Sequence, residues 1–174
     1  MPYSPGWAAQ FEELDLRLRA ALSTVDFVAI EHVGSTAVPG LAAKPILDVD
    51  IIVRRSATHD AIAALTAAGY THRGDLGVTD REAFSAPDES PPRHVYLCIE
   101  NTLHVRNHLA VRDVLRQNPS LRDRYAEVKL DLARDPDIDI GRYLAGKSLI
   151  LQEVLAASDL TSDEKRKVFE LNTR

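Results

Sequence analysis

The chain has 174 residues, of which 45% are hydrophobic and 27% are charged. These proportions are typical of a folded globular protein and exclude an intrinsically disordered chain. The formal net charge of −5 provides no general basic surface, so nucleic acid is disfavoured as a partner. The first residues lack the basic and apolar regions of a signal peptide, and no run of about 18 apolar residues occurs. We therefore expect a cytoplasmic protein with no membrane partner.

The first third of the chain is predicted to alternate helices and strands. An amphipathic helix opens it, because apolar residues recur at spacings of three and four. Residues 27–33 predict a strand that runs into a turn at 34–40, and residues 46–53 alternate as a second strand. A second helix is expected over residues 58–68, where Gly69 is placed to end it.

The rest of the chain divides into short strands followed by helices. Residues 82–86, 93–99 and 103–106 predict strands, with 100–102 as a hairpin turn. Four helices are predicted after them, at 108–117, 119–134, 139–157 and 162–171. The third of these helices has apolar residues at the spacing of a buried face, namely Leu144, Leu149, Ile150, Val154 and Leu155. The pattern predicts an α/β (α+β) core over residues 1–107 and a helical subdomain over residues 108–174, packed together as one compact unit.

A glycine-serine turn after the first strand is a candidate phosphate-binding element. Gly34 allows the backbone to approach a phosphate closely, and the amides and hydroxyls of Ser35 and Thr36 can donate to its oxygens. An ordinary turn is the alternative explanation for the same residues.

Two aspartates in the second strand are a candidate metal site. Asp48 and Asp50 are separated by one residue, so both carboxylates lie on one face of the strand, about 7 Å apart along it. Two like charges so close together are costly unless a cation neutralises them. We therefore predict that Asp48 and Asp50 bind Mg²⁺ or Mn²⁺, with a solvated polar face as the alternative.

The turn and the aspartate strand together resemble the signature of the nucleotidyltransferase superfamily that includes DNA polymerase beta. The longer segment His32-Val-Gly-Ser-Thr-Ala-Val-Pro-Gly-Leu-Ala-Ala-Lys-Pro-Ile-Leu-Asp-Val-Asp50 is similar to the hallmark of the GrpB family. Later segments agree with that family at Gly69-Tyr70, Arg81 with Phe84, Val111 to Arg116, Tyr125 with Lys129, and Tyr143 with Lys147. The resemblance implies a nucleotidyltransferase-like mixed sheet flanked by helices. A similar domain is fused to dephospho-CoA kinase in some actinobacterial proteins, which points to nucleotide or coenzyme A chemistry.

Two departures from the family pattern concern the strand at 93–99. Family members commonly have His-His-Leu-His-Val, whereas this chain has Arg93-His94-Val95-Tyr96-Leu97. Active superfamily enzymes usually add a third carboxylate from a neighbouring strand, and this strand has none. His94 is then the predicted general base and Tyr96 a substrate contact, unless another acid folds into the site, for which the choices are Asp75, Asp80 and Glu82.

Several basic residues are predicted to contact a bound anion. Lys44 precedes the aspartate strand and can meet a phosphate or pair with Asp48. Arg81, Arg112 and Lys147 lie in segments that resemble the family, and Tyr143 shares a helical face with Lys147. A structural ion pair with Asp113 is the alternative for Arg112.

The histidines have less specific interpretations. A structural role for His32 outranks a role as a base. His94, His104 and His108 lack the spacing of a structural zinc site, so a zinc cluster is disfavoured.

These residues favour a metal-dependent nucleotidyltransferase-like protein that binds a nucleoside triphosphate or a related phosphorylated small molecule. Gly34 and Ser35 would hold the phosphates, while Lys44, Arg81 and Lys147 would offset their charge. The rival is a non-catalytic module that binds a nucleotide or a coenzyme A precursor, and the missing third carboxylate favours it. We expect the protein to bind nucleotide more readily than it turns it over.

Overall fold

The computed structural model describes residues 1–135 and 137–172, without the side chains of residues 140 and 172. Two compact units make up the chain, Met1–Val105 and Arg106–Arg174. The first unit contains helices α1 (Gly6–Ala21) and α2 (Thr58–Ala67), and strands β1 (Phe27–Val33), β2 (Leu47–Val53), β3 (Thr71–His72), β4 (Arg81–Ser85) and β5 (Arg93–Ile99). The remaining helices are α3 (Leu103–Gln117), which begins in the first unit, α4 (Pro119–Leu132), α5 (Ile140–Ala156) and α6 (Ser162–Asn172). None of the helices described is long and apolar enough to span a membrane.

The five strands form one mixed sheet in the order β1-β2-β5-β4-β3. Strands β2 and β5 are parallel, and the other neighbours are antiparallel. A sheet of this kind with flanking helices confirms the predicted α/β fold class. Because β2 is the second strand in this order, the aspartate strand has a neighbour on each side, β1 and β5.

One face of the sheet supplies the hydrophobic core of the first unit. In β2 this face consists of Leu47, Val49, Ile51 and Val53, all of which are buried. They pack with apolar residues of α1 and α2, of which Leu14, Leu18 and Leu65 are buried. Because successive strand residues point to opposite faces, Asp48 and Asp50 lie on the other face, as the alternation predicted.

The predicted strand at 103–106 is wrong, because these residues form the first turn of α3. The preceding turn leads from β5 into that helix and is no hairpin. Asn101 has a positive φ of 62°, and the Thr102 hydroxyl donates to the carbonyl of Ile99 at 2.9 Å. Four residues are too few for a period of two to be distinguished from a period of 3.6, so the local pattern could not decide.

Helix α5 buries three of the five apolar residues of its predicted face, namely Ile150, Val154 and Leu155. Leu144 is half-buried, and Leu149 is 75% exposed. A helix turns about 100° per residue, which places Leu149 opposite the centre of the buried arc. Within the second unit, α5 contacts both α4 and α6.

This arrangement predicts very different costs for two leucine substitutions in α5. Leu155→Ala removes a side chain that is 0% exposed and should destabilise the protein by about 2–5 kcal/mol. Leu149→Ala removes an exposed side chain, and its effect should be within about 0.5 kcal/mol. Urea denaturation of both variants measures the difference. Equal shifts in the unfolding midpoint would show that this face of α5 is not a core.

Candidate metal and phosphate site

The turn after β1 brings the backbone against the carboxylate of Asp48. Gly34 has φ 70° and ψ −170°, and Ser35–Ala37 then form one turn of 3-10 helix. A Cβ atom at Gly34 would lie 2.2 Å from Oδ2 of Asp48, which no real side chain tolerates. Glycine at this position therefore allows the turn and the Asp48 carboxylate to share one small space.

Two buried side chains fix the turn to the segment before β2. The Thr36 hydroxyl donates to the carbonyl of Ile46 at 3.2 Å and lies 3.0 Å from Nε2 of His32. Because the Thr36 hydrogen goes to a carbonyl, we assign the donor in the second bond to His32 Nε2. The His32 ring stacks on Phe11 with centroids 4.7 Å apart. This environment matches the structural alternative for His32, and a phosphate contact by the Thr36 hydroxyl would have to break these bonds.

The strand register places each aspartate of β2 between one residue of β1 and one residue of β5. Asp48 lies opposite Val33 on β1 and His94 on β5. Asp50 is 0% exposed and lies opposite Glu31 on β1 and Tyr96 on β5.

Of these neighbours, Glu31 was missed by the sequence reasoning. Its alternation with Val33 was visible in the sequence, but only strand pairing sets it opposite Asp50.

His94 forms a hydrogen bond with Asp48. Its Nδ1 lies 2.9 Å from Oδ1 of Asp48. This hydrogen bond raises the pKa of His94, and partial burial opposes the rise. A raised pKa increases the protonated fraction at neutral pH, so less of His94 is in the neutral form that can accept a proton.

Tyr96 carries the guanidinium of Arg81 on its ring. The central carbon of that guanidinium lies 4.6 Å from the ring centroid, a cation–π contact. Burial raises the pKa of the Tyr96 phenol, and the nearby Arg81 charge lowers it by a smaller amount. Arg81 Nε is buried and has no hydrogen-bond partner among residues 1–135 and 137–172. The structure thus brings Arg81 beside the Asp50–Tyr96 pair.

His104, in the first turn of α3, approaches the same aspartate. One of its ring nitrogens lies within 4.8 Å of a carboxylate oxygen of Asp50. Its ring also meets the Tyr96 ring edge-on, with centroids 6.5 Å apart. Residue spacing along the chain could not reveal the proximity of Asp50 and His104, because the two residues lie on separate elements, β2 and α3.

The acids proposed as a third carboxylate are engaged elsewhere. Asp75 accepts a hydrogen bond from the amide of Gly77 at 2.8 Å. Asp80 pairs with Arg55 at 2.8 Å, and Glu82 lies 2.6 Å from the His72 ring nitrogen.

Ser35 and Lys44 both lie in the segment that connects β1 to β2, the strand with the two aspartates. Lys44 is exposed and forms no ion pair with any described residue, since Asp48 bonds to His94 instead. Ser35 is half-buried and begins the 3-10 turn next to Gly34. A lysine without a carboxylate partner is suited to an anion that arrives with the ligand.

The other predicted anion contacts belong to the second unit. Arg112 Nε lies 2.7 Å from Oδ1 of Asp113, as the structural alternative expected. The Lys147 ammonium lies 5.1 Å from the centroid of the Tyr143 ring, as their spacing of four residues predicted.

The aspartates fit a hard divalent cation such as Mg²⁺ or Mn²⁺. Such ions prefer carboxylate oxygens, and Asp48 and Asp50 provide two carboxylates on one strand face. Burial of Asp50 makes a compensating cation favourable, because a desolvated negative charge is costly. Gly34 also keeps the space beside Asp48 clear of a side chain.

The sequence matches known proteins over most of its length. The family model described as GrpB protein covers residues 1–157. The chain is 36% identical over 163 residues to the UPF0157 protein BH1888 of Halalkalibacterium halodurans, covering 92% of this chain and 82% of that protein. It is 34% identical over 146 residues to the UPF0157 protein YqkA of Bacillus subtilis, covering 83% of this chain but only 42% of YqkA. A dephospho-CoA kinase of Mycolicibacterium paratuberculosis is 29% identical over 173 residues, covering 84% of this chain and 42% of the kinase.

Solved structures support the same assignment. The crystal structure of conserved protein GrpB from Enterococcus faecalis matches with a TM-score of 0.74 and 28% identity, covering 100% of this chain and 99% of that one. Cid1, in complex with its short product ApU, matches with a TM-score of 0.62 and 16% identity, covering 87% of this chain and 49% of that one. The second likeness concerns the fold alone and confirms its nucleotidyltransferase-like character. With a family model that covers nearly the whole sequence and a matching family structure, the chain belongs to the GrpB family.

Proposed function

We propose that the protein is a metal-dependent, nucleotidyltransferase-like protein that binds a nucleoside triphosphate or a related phosphorylated ligand. The observation that carries the proposal is the Gly34 turn, which lies against Asp48 within a nucleotidyltransferase-like fold. Cid1 was solved with its product ApU, so a protein of this fold accommodates nucleotides. A cytoplasmic location would give access to such ligands.

Asp48 and Asp50 would hold Mg²⁺ or Mn²⁺. The ion would neutralise charge on the phosphate oxygens and orient them. Ser35 and the amides of its turn would donate hydrogen bonds to the phosphates, because Gly34 gives them close access.

The basic residues would offset the remaining phosphate charge. Arg81 has a buried Nε without a partner among the described residues, and Lys44 is exposed without an ion pair in the same part of the chain. Both therefore have donors to offer. Tyr96 would support the Arg81 guanidinium through its ring face. Arg112, Tyr143 and Lys147, which lie in the second unit, stay predicted anion contacts on the strength of the family resemblance alone.

A second candidate is a non-catalytic module that binds a nucleotide or a coenzyme A precursor. Two observations favour it: β5 carries no carboxylate, and the three acids named as replacements are bonded elsewhere. Glu31 on β1, opposite Asp50, is the carboxylate that would argue against it. The likeness to a dephospho-CoA kinase suggests the ligand class. Under this proposal the site retains the phosphate and metal contacts without a competent base.

Removal of both carboxylates should eliminate metal-dependent ligand binding. Calorimetric titration with ATP, UTP and dephospho-CoA, each with and without Mg²⁺, is expected to show metal-dependent affinity in the native protein. Asp48→Asn with Asp50→Asn should abolish the metal dependence, because the amides lack the two negative charges that favour a hard divalent cation. Asp26→Asn is the matched control, since that carboxylate is 82% exposed and pairs with Arg54.

Pyrophosphate release measured on the same samples separates the two candidates. Turnover above background would support an enzyme, and binding without turnover would support the binding module. A double variant that binds metal and nucleotide like the native protein would contradict both.

A further inference from the structure

Each of the two aspartates has an imidazole nearby within the first unit. His94 Nδ1 lies 2.9 Å from Oδ1 of Asp48, and a ring nitrogen of His104 lies within 4.8 Å of an Asp50 oxygen. Tyr96 neighbours both imidazoles, with centroid distances of 6.4 Å to His94 and 6.5 Å to His104. Two carboxylates and two imidazoles thus lie near Tyr96, on one face of the sheet.

Within each imidazole–carboxylate pair, the two donor atoms are close enough to bind the same metal ion. Two donor atoms bound at about 2.1 Å to an octahedral ion lie about 3.0 Å apart at a right angle and about 4.2 Å apart on opposite sides, and on a tetrahedral ion they lie about 3.4 Å apart. The 2.9 Å between His94 Nδ1 and Asp48 Oδ1 fits the first case. The His104 nitrogen and the Asp50 oxygen lie at most 4.8 Å apart, and side-chain rotation can bring them to the separation of two ligands of one ion.

The bond between His94 and Asp48 is a poor candidate for a purely structural contact. The His94 side chain is 54% exposed, and exposed ion pairs contribute about 0–1 kcal/mol to stability. Exposure also leaves the imidazole accessible to an incoming ion.

The kind of donor decides which ions are preferred. Mg²⁺ binds through oxygen ligands and retains several waters, whereas imidazole nitrogen suits zinc, copper, nickel and iron. We propose that His94 and His104 complete a mixed imidazole–carboxylate site with Asp48 and Asp50, which takes a transition metal such as Co²⁺ or Zn²⁺ in preference to Mg²⁺. This inference rests on the proposed function, because it uses the same aspartates as metal ligands.

Metal titration of the full chain tests the inference without nucleotide. The protein, stripped of metal with a chelator, is titrated with Mg²⁺, Mn²⁺, Co²⁺ and Zn²⁺ in a calorimeter. Native protein should bind Co²⁺ and Zn²⁺ at least 100-fold more tightly than Mg²⁺. His94→Gln and His104→Gln should each weaken Co²⁺ and Zn²⁺ binding at least tenfold while leaving the weak Mg²⁺ affinity unchanged.

His72→Gln is the matched control, because His72 also lies next to a carboxylate, that of Glu82, at 2.6 Å. It should leave the affinity for every ion unchanged. Thermal melting of each apo variant checks that the fold is retained.

A spectroscopic measurement identifies the ligand atoms directly. Nitrogen couplings in pulsed electron paramagnetic resonance of the Mn²⁺-loaded protein should be present in the native protein and the His72→Gln variant. They should decrease in His94→Gln and in His104→Gln. Unchanged couplings and affinities in both variants would overturn the inference, because His94 would then only orient Asp48.

The outcomes separate this inference from the proposed function. Loss of transition-metal binding in the histidine variants, without nucleotide binding in the native protein, would support the inference and reject the proposed function. Mg²⁺-dependent nucleotide binding by the native protein, together with unaltered metal affinity in the histidine variants, would support the proposed function and reject the inference. A double variant of Asp48 and Asp50 that binds all four ions like the native protein would reject both.

Discussion

Gly34→Ala is expected to abolish Mg²⁺-dependent nucleotide binding and to destabilise the first unit. The new Cβ would lie 2.2 Å from Oδ2 and 2.9 Å from Cγ of Asp48, so the turn or the carboxylate has to move. The backbone at φ 70° and ψ −170° is in a region that is essentially restricted to glycine, at a cost of about 1–3 kcal/mol for other residues. Calorimetry with Mg²⁺ and nucleotide measures the binding, and urea denaturation measures the free energy of unfolding.

Gly74→Ala is the matched control for this substitution. Gly74 also has a positive φ of 75°, but nothing lies within 4 Å of the position that a Cβ atom would take there. It should cost about 1–2 kcal/mol through backbone strain alone and leave ligand binding intact. If Gly34→Ala binds nucleotide as Gly74→Ala does, the contact between turn and carboxylate has no role in the site.

Asp88→Ala is expected to have the largest effect on stability among substitutions of charged residues in the first unit. The Arg93 side chain is 1% exposed, and Asp88 accepts two hydrogen bonds from its guanidinium, at 2.7 Å and 3.2 Å. Without Asp88, the hydrogen-bond partners left to this buried cation among the described residues are the Pro91 carbonyl at 2.8 Å and the Tyr70 hydroxyl at 3.3 Å. A buried charge left without its counter-charge is strongly destabilising.

Arg93→Met should be milder than Asp88→Ala, although both remove the same ion pair. Methionine fills the buried space without a charge, and the carboxylate that remains is partly exposed and can be hydrated. Thermal melting of the two variants compares them directly. A larger loss in Arg93→Met would mean that packing around the guanidinium, and not its charge, holds this part of the fold.

The ion pair between Asp88 and Arg93 also makes the stability of the protein depend on pH under acidic conditions. Its hydrogen bonds with Arg93 and the Ser90 amide hold the pKa of Asp88 well below its usual 3.8. A carboxylate whose pKa is lower in the folded than in the unfolded protein stabilises the folded state at pH values above its unfolded-state pKa. This stabilisation is lost as the pH falls from the unfolded-state pKa toward the folded-state pKa. Native protein should therefore lose stability as the pH falls from about 4 to about 2, below the pKa of unfolded Asp. Asp88→Asn should flatten this part of the curve.

The sequence by itself was sufficient for the features that depend on local pattern. The alternation in residues 46–53 separated the core face of β2 from Asp48 and Asp50, because strand side chains alternate whatever the strand pairs with. Gly34 was identified as a special backbone position, and its positive φ agrees. The motif around these residues was specific enough to indicate the GrpB family and, through it, the fold.

Only the tertiary structure decided which side chains meet at the aspartates. The pairing of Asp48 with His94, and the positions of Glu31 and Tyr96 on either side of Asp50, follow from the register of β1, β2 and β5. A one-residue slip of any strand would turn its side chains to the opposite face, and no local pattern fixes that register across about 45 intervening residues. The approach of His104 likewise depends on where α3 begins, which the short segment after β5 left undetermined. Local periodicity selects the face of each element, whereas long-range packing selects the neighbours on that face.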